Sequence, residues 1–133
     1  MDILKTIFNN CQYLESIKVW CGECFLNVKE MLEVVAKYSP KYFYELKIYN
    51  EQSYRLLSGN GRPSKLLSED LESFFISWKS RIPKKSLALI IIKYDYEDDG
   101  LNTNEENMKV IEKYKELGII KKFETRLFDE ENN

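Results

Sequence analysis

The chain has 133 residues, 44% hydrophobic and 32% charged, which suits one folded domain with a modest core and excludes a disordered chain. Its 20 basic and 22 acidic residues leave a net charge of −2, no basis for nucleic-acid binding, and Lys84-Lys85 and Lys121-Lys122 read as solvated edges. "MDILKTIFNNC" breaks into charge and amide too early for a signal peptide, and "LALIII" (Leu87 to Ile92) is too short to span a bilayer.

Taken in chain order, the first element is a short helix from Asp2 to Asn9, with Ile3, Leu4, Ile7 and Phe8 along one stripe. Ser16 to Trp20 reads as a strand with Ile17 and Val19 on one face. Asn27 and Glu30 stand at capping-box spacing before Val28, Met31, Leu32, Val35 and Ala36, an apolar stripe of helical period. Ser39-Pro40 stops that helix, because the residue before proline is pushed out of the α region. A second strand follows from Glu45 to Tyr49.

"SGNGRPSK" from Ser58 is rich in turn formers and marks an exposed loop. The next helix takes Ser68 as its cap, Glu69 and Asp70 in its first turn, and Leu71, Phe74, Phe75 and Trp78 as its buried face. Pro83 limits it, and Leu87 to Ile92 is the third strand. Thr103 and Glu106 open a last helix with Val110, Ile111, Tyr114 and Leu117 as its stripe. Gly118 sits where a C-terminal glycine belongs, and Ile119 to Phe123 is the fourth strand.

The chain repeats itself at an offset of 29: "YLESIKVW" returns as "YFYELKIY", with Ile17 and Val19 recurring as Leu46 and Ile48. A third rung at Leu89 and Ile91 needs an offset of 43, so the period loosens along the chain. Strand-then-helix units of this size are the pattern of a leucine-rich-repeat solenoid, an α/β stack of parallel strands joined by helices. The expected domain spans residues 1–125, in units of roughly 3–40, 41–83, 84–117 and a partial 118–125, with 126–133 as a flexible tail. Residues alternate with the inward rungs at Lys18, Trp20, Lys47, Tyr49, Ile90 and Ile92. These six are expected to form an open second face, with Trp20, Tyr49 and Ile92 in a lateral row, that either binds a protein or is covered structurally by a missing neighbour, a helix or an N-terminal domain.

At "IFNNCQYLESIKVWCGE", "MLEVVAKYSPKYFYELKIY", "LSEDLESFFISWKSRIPKKSLALIII" and "IEKYKELGIIKKFET" the chain resembles the C-terminal leucine-rich-repeat region of the expanded F-box-like proteins of arbuscular mycorrhizal fungi. The likeness covers nearly all of residues 4–125. It implies a non-catalytic protein–protein interaction module, the target-recognition part of an F-box-type ubiquitin-ligase adaptor. In that family an N-terminal F-box docks onto a Skp1-type adaptor while the repeats select the target. No F-box fits ahead of Ile7, so the expectation is a fragment, a truncated paralogue or a repeat-only binder.

Three chemical signals compete with the scaffold. Trp20-Cys21-Gly22-Glu23-Cys24 resembles the Trp-Cys-Gly-Pro-Cys site of thioredoxins, so Cys21 and Cys24, read as loop residues, form the alternative site of a thiol–disulfide oxidoreductase. Against it, Glu23 replaces proline, Pro83 is only a loose candidate for the apposed cis-proline, and Gly22 also suits a repeat's tight bend. Asp95, Glu97, Asp99, Leu101 and Glu106 follow calcium-loop spacing, but a β-type run precedes them where an entering helix is required. The Gly59 and Gly61 stretch lacks the trailing Lys-Ser/Thr of a phosphate loop. The chain has no His, which removes the commonest general base. Three cysteines, at 11, 21 and 24, make no extracellular disulfide framework. The expected protein is therefore not an enzyme, needs no cofactor or metal, contacts neither nucleic acid nor membrane, and resides in the cytoplasm or nucleus.

Overall fold

The computed structural model describes residues 2–22, 28–51, 68–81, 85–93 and 105–127. Their order is α1 (Asp2–Asn10), β1 (Ser16–Gly22), α2 (Val28–Tyr38), β2 (Glu45–Glu51), α3 (Ser68–Lys79), β3 (Leu87–Lys93), α4 (Glu105–Glu116) and β4 (Ile120–Leu127). The strands form one sheet in the order β1-β2-β3-β4, and every neighbouring pair is parallel. A parallel pair needs a crossover connection; α2, α3 and α4 each lie within one of the three, while α1 precedes the sheet.

The repeat in sequence becomes register in space. Ile17 lies opposite Leu46, Leu46 opposite Leu89, and Leu89 opposite Phe123; Val19, Ile48, Ile91 and Thr125 form the next rung. Leu46, Ile48, Leu89 and Ile91 are fully buried in one cluster with residues from all four helices. The architecture is thus two layers, with the helices on one face of the sheet. Burying such apolar surface at roughly 25 cal/mol per Å² is the main favourable term holding the layers together.

Aromatic rings tie the units across the helix layer. Phe8 of α1 meets Phe43 edge-on, with centroids 5.6 Å apart, and Phe43 meets Trp78 of α3 at 6.2 Å. Phe75 of α3 packs on Tyr114 of α4 at 5.2 Å. Arg81 adds a polar tie. Its guanidinium lies 4.4 Å from the Trp78 ring centroid and donates to the carbonyls of Ser39 (2.7 Å) and Pro40 (3.0 Å), and to Ser39 Oγ. It therefore caps the end of α2 from the following unit, and burial pulls its pKa below the ordinary arginine value.

The helix ends follow the expected chemistry where they are described. Gly118 has φ of +80°, its N–H donates to the Lys115 carbonyl (3.1 Å), and the Ile119 N–H donates to that of Tyr114 (3.0 Å). This double closure is a Schellman motif, which needs a left-handed residue at that position. Several boundaries are corrected, two of them with consequences for the site. β4 runs past Phe123 and takes in Arg126 and Leu127 from the expected tail. β1 extends through Cys21 and Gly22, so Cys21 is a strand residue paired with Asn50 rather than a loop residue. The proposed caps Asn27 and Thr103, the loop glycines Gly59 and Gly61, and Pro83 lie outside the described residues.

Candidate binding face of the sheet

Side chains alternate across a strand, so the positions between the inward rungs share the sheet's second face. Register arranges them in three lateral rows. Ser16, Glu45, Ala88 and Lys122 form the first, Lys18, Lys47, Ile90 and Glu124 the second, and Trp20, Tyr49, Ile92 and Arg126 the third. The expected lateral row is therefore present, and the Trp20 and Tyr49 rings stack with centroids 4.2 Å apart and planes 12° apart.

This face is not open along its length. Trp20 is 36% exposed and Lys18 is exposed, but Tyr49 keeps only 4% of its surface, and Ile90 and Ile92 keep none. Tyr49, Ile90 and Ile92 form a second buried cluster, separate from the main core. The expectation that Ile90 and Ile92 present an accessible surface is corrected. The reason is visible in β3 itself: "LALIII" has no polar alternates, the mark of a strand covered on both faces. β1 and β2 do alternate, with Lys18 and Lys47 between apolar neighbours. The accessible part of the face thus lies around Lys18, Trp20 and Lys47.

β4 closes the face with charge. Glu124 accepts hydrogen bonds from Arg126 Nε (2.8 Å) and pairs with Arg126 Nη2 (2.7 Å) and Lys122 Nζ (3.2 Å). The Arg126 hydrogen bond is the largest cause holding Glu124 below the usual carboxylate range. On the first row, Ser16 Oγ donates to Glu45 Oε1 at 2.8 Å. The face offers cationic margins, an aromatic ledge and a covered aliphatic floor.

Other titratable groups with shifted behaviour have structural explanations. Glu72 of α3 accepts from Lys113 Nζ (2.9 Å) and Tyr114 OH (3.1 Å) of α4. The Lys113 hydrogen bond lowers the Glu72 pKa most, and the same bond raises that of Lys113. Burial, then the bond to Glu72, raises the Tyr114 phenol. The trio ties adjacent helices on the outer side of the molecule.

Of the thiol pair, Cys21 lies near the end of β1 and Cys24 lies outside the described residues. Asp95, Glu97, Asp99 and Leu101 also lie outside them. Glu106 sits in the first turn of α4, 3.8 Å from Lys109. Among the described residues no group of three or more metal-ligating side chains converges, and no helix is long and apolar enough to cross a membrane.

The chain is of the α/β class, a four-stranded parallel sheet joined by helices. In comparisons with known proteins, no family model, no curated protein and no solved structure matches it significantly.

Proposed function

We propose that the chain is a non-catalytic protein-binding module, a short leucine-rich-repeat solenoid acting in the cytoplasm or nucleus. It serves as the target-recognition part of an F-box-type ubiquitin-ligase adaptor, with the F-box and its Skp1-type partner supplied by a longer protein. The observation that carries this reading is the in-register rungs Ile17/Leu46/Leu89 and Val19/Ile48/Ile91, set at the sequence offsets of the internal repeat and backed by one helical layer. Units that share a continuous core present one side of the sheet to a partner. The contact residues on that side are Lys18, Trp20 and Lys47, while Tyr49 backs Trp20 and Ile90 and Ile92 form the floor beneath.

This division decides how the reading is tested. Tyr49→Ala would open a buried cluster and so confound binding with stability, whereas Lys18 is exposed and Trp20 partly so. Quantitative affinity capture in the source organism should show a target enriched by the wild-type chain and lost with Lys18→Glu/Trp20→Ala, the far-ultraviolet circular dichroism being preserved. An identical set of captured proteins for both would reject this face as the recognition surface.

A further inference from the structure

Parallel strands with intervening helices gather all the segments that enter the strands at one end of the sheet. Backbone hydrogen bonds knit these segments side by side here. Tyr44 and Glu45 N–H both donate to the Glu15 carbonyl, Ala88 N–H donates to that of Tyr44, and Leu87 N–H to that of Ile119. The described residues at the strand entrances therefore form one continuous edge.

That edge carries interleaved aromatic and cationic side chains. Exposed Tyr13 stacks on Tyr42, with centroids 5.7 Å apart and planes 21° apart. The Lys41 and Lys85 ammoniums lie 5.1 and 5.2 Å from the Tyr42 centroid. Further along, a β-bulge opposite Leu87/Ala88 makes Lys121 the extra residue of β4, and its ammonium stands 4.5 Å from the Tyr44 ring centroid.

Lys85 also lines a cleft of about 280 Å³ together with Trp78, Lys79, Ser86, Leu117 and Ile119. Two hydrogen bonds hold its walls: Trp78 Nε1–H donates to the Lys85 carbonyl (2.7 Å), and Ser86 Oγ–H to the Gly118 carbonyl (2.7 Å). Leu117 is 59% exposed beside it, although it lies in the turn after α4 with its apolar side chain toward water.

Lysines in the last turns of helices are explained by the helix dipole, and Lys37, Lys79, Lys113 and Lys115 belong to that group. Lys41, Lys85 and Lys121 lie beyond the helices, so the dipole does not account for them. Glu15 and Glu45 are on the same edge and Glu116 ends α4, so the cationic part of the edge is the stretch at the Tyr42 and Tyr44 rings, where Lys41, Lys85 and Lys121 stand.

We propose that this edge binds an extended acidic polypeptide segment. Carboxylates of the segment meet Lys41, Lys85 and Lys121, and an aliphatic side chain fills the cleft beside Leu117. A single-stranded nucleic acid is held by a positively charged groove along which successive bases stack on a series of open aromatic platforms. Here Tyr13 and Tyr42 stack on each other, which leaves one outer ring face each rather than a series of separate platforms, and Arg81 is committed to the Ser39 and Pro40 carbonyls. The site is independent of the sheet's second face.

The test is fluorescence anisotropy of the full chain with a labelled peptide of repeating Asp-Glu-Leu. Saturable, salt-weakened binding is expected, reduced about tenfold or more by Lys41→Glu/Lys85→Glu and by a smaller factor in the neutral Lys41→Gln/Lys85→Gln pair. Leu117→Ser should lower affinity for this peptide to that for Asp-Glu-Ser repeats. Absence of saturation, equal binding by the charge-reversed variant, or tighter binding of a labelled oligouridylate than of the acidic peptide would each overturn the proposal.

Discussion

Among the described residues, Gly118 is the one whose backbone alone constrains its identity. Its φ of +80° belongs to the left-handed region, and a Cβ built there would meet nothing within 4 Å. Sterics with neighbours therefore contribute nothing, and the cost of a side chain is conformational. Gly118→Ala should destabilise the chain by about 1 kcal/mol, measured as a lower denaturation midpoint with an unchanged slope. Gly118→Asn should lose less, because asparagine tolerates this conformation. Arg81 makes the contrasting case: its place depends on partners far away in sequence, Ser39 and Pro40, and on the Trp78 ring beneath it. The glycine was legible from its position after a helical stripe. The arginine was not, because no local pattern signals a cation that caps the preceding unit's helix.

At the scale of elements, the Glu72 link between α3 and α4 carries a pH dependence whose sign follows from its geometry. Hydrogen bonds from Lys113 and Tyr114 lower the folded-state pKa of Glu72. Its contribution is then fully present above the unfolded glutamate value of about 4.3 and is lost as pH falls through the lower folded value. Glu72→Gln should accordingly melt at a lower temperature than the wild type at neutral pH, with the difference shrinking in acid below that range. A difference that stays constant with pH would deny the charged link. The helices and strands were largely readable because apolar periods of about 3.6 and 2 switch cleanly along the chain. Their ends were less so. β4 continues to Leu127 because pairing with β3 extends to Lys93, a tertiary condition that the isolated "FETRL" does not encode.

For the whole molecule, both faces of the sheet bury apolar side chains, and the sequence pattern points to them unequally. The rung offsets of 29 and 43 foretold the parallel register and the helical layer, since apolar residues recurring at matched strand positions must share a core. β1 and β2 alternate with lysine, which suggests an open second face, but β3 has no such alternation. A central strand with Ala88, Ile90 and Ile92 as its alternates is a two-sided core strand. The difference is measurable. Ile92→Ala should cost about 2–5 kcal/mol of unfolding free energy, comparable with Ile91→Ala on the main core side, because each deletes a fully buried branched side chain. An accessible Ile92 would instead give a change within about 0.5 kcal/mol. Equal losses at these neighbouring residues would establish that the sheet has two cores, and that Ile92 is no part of an accessible surface.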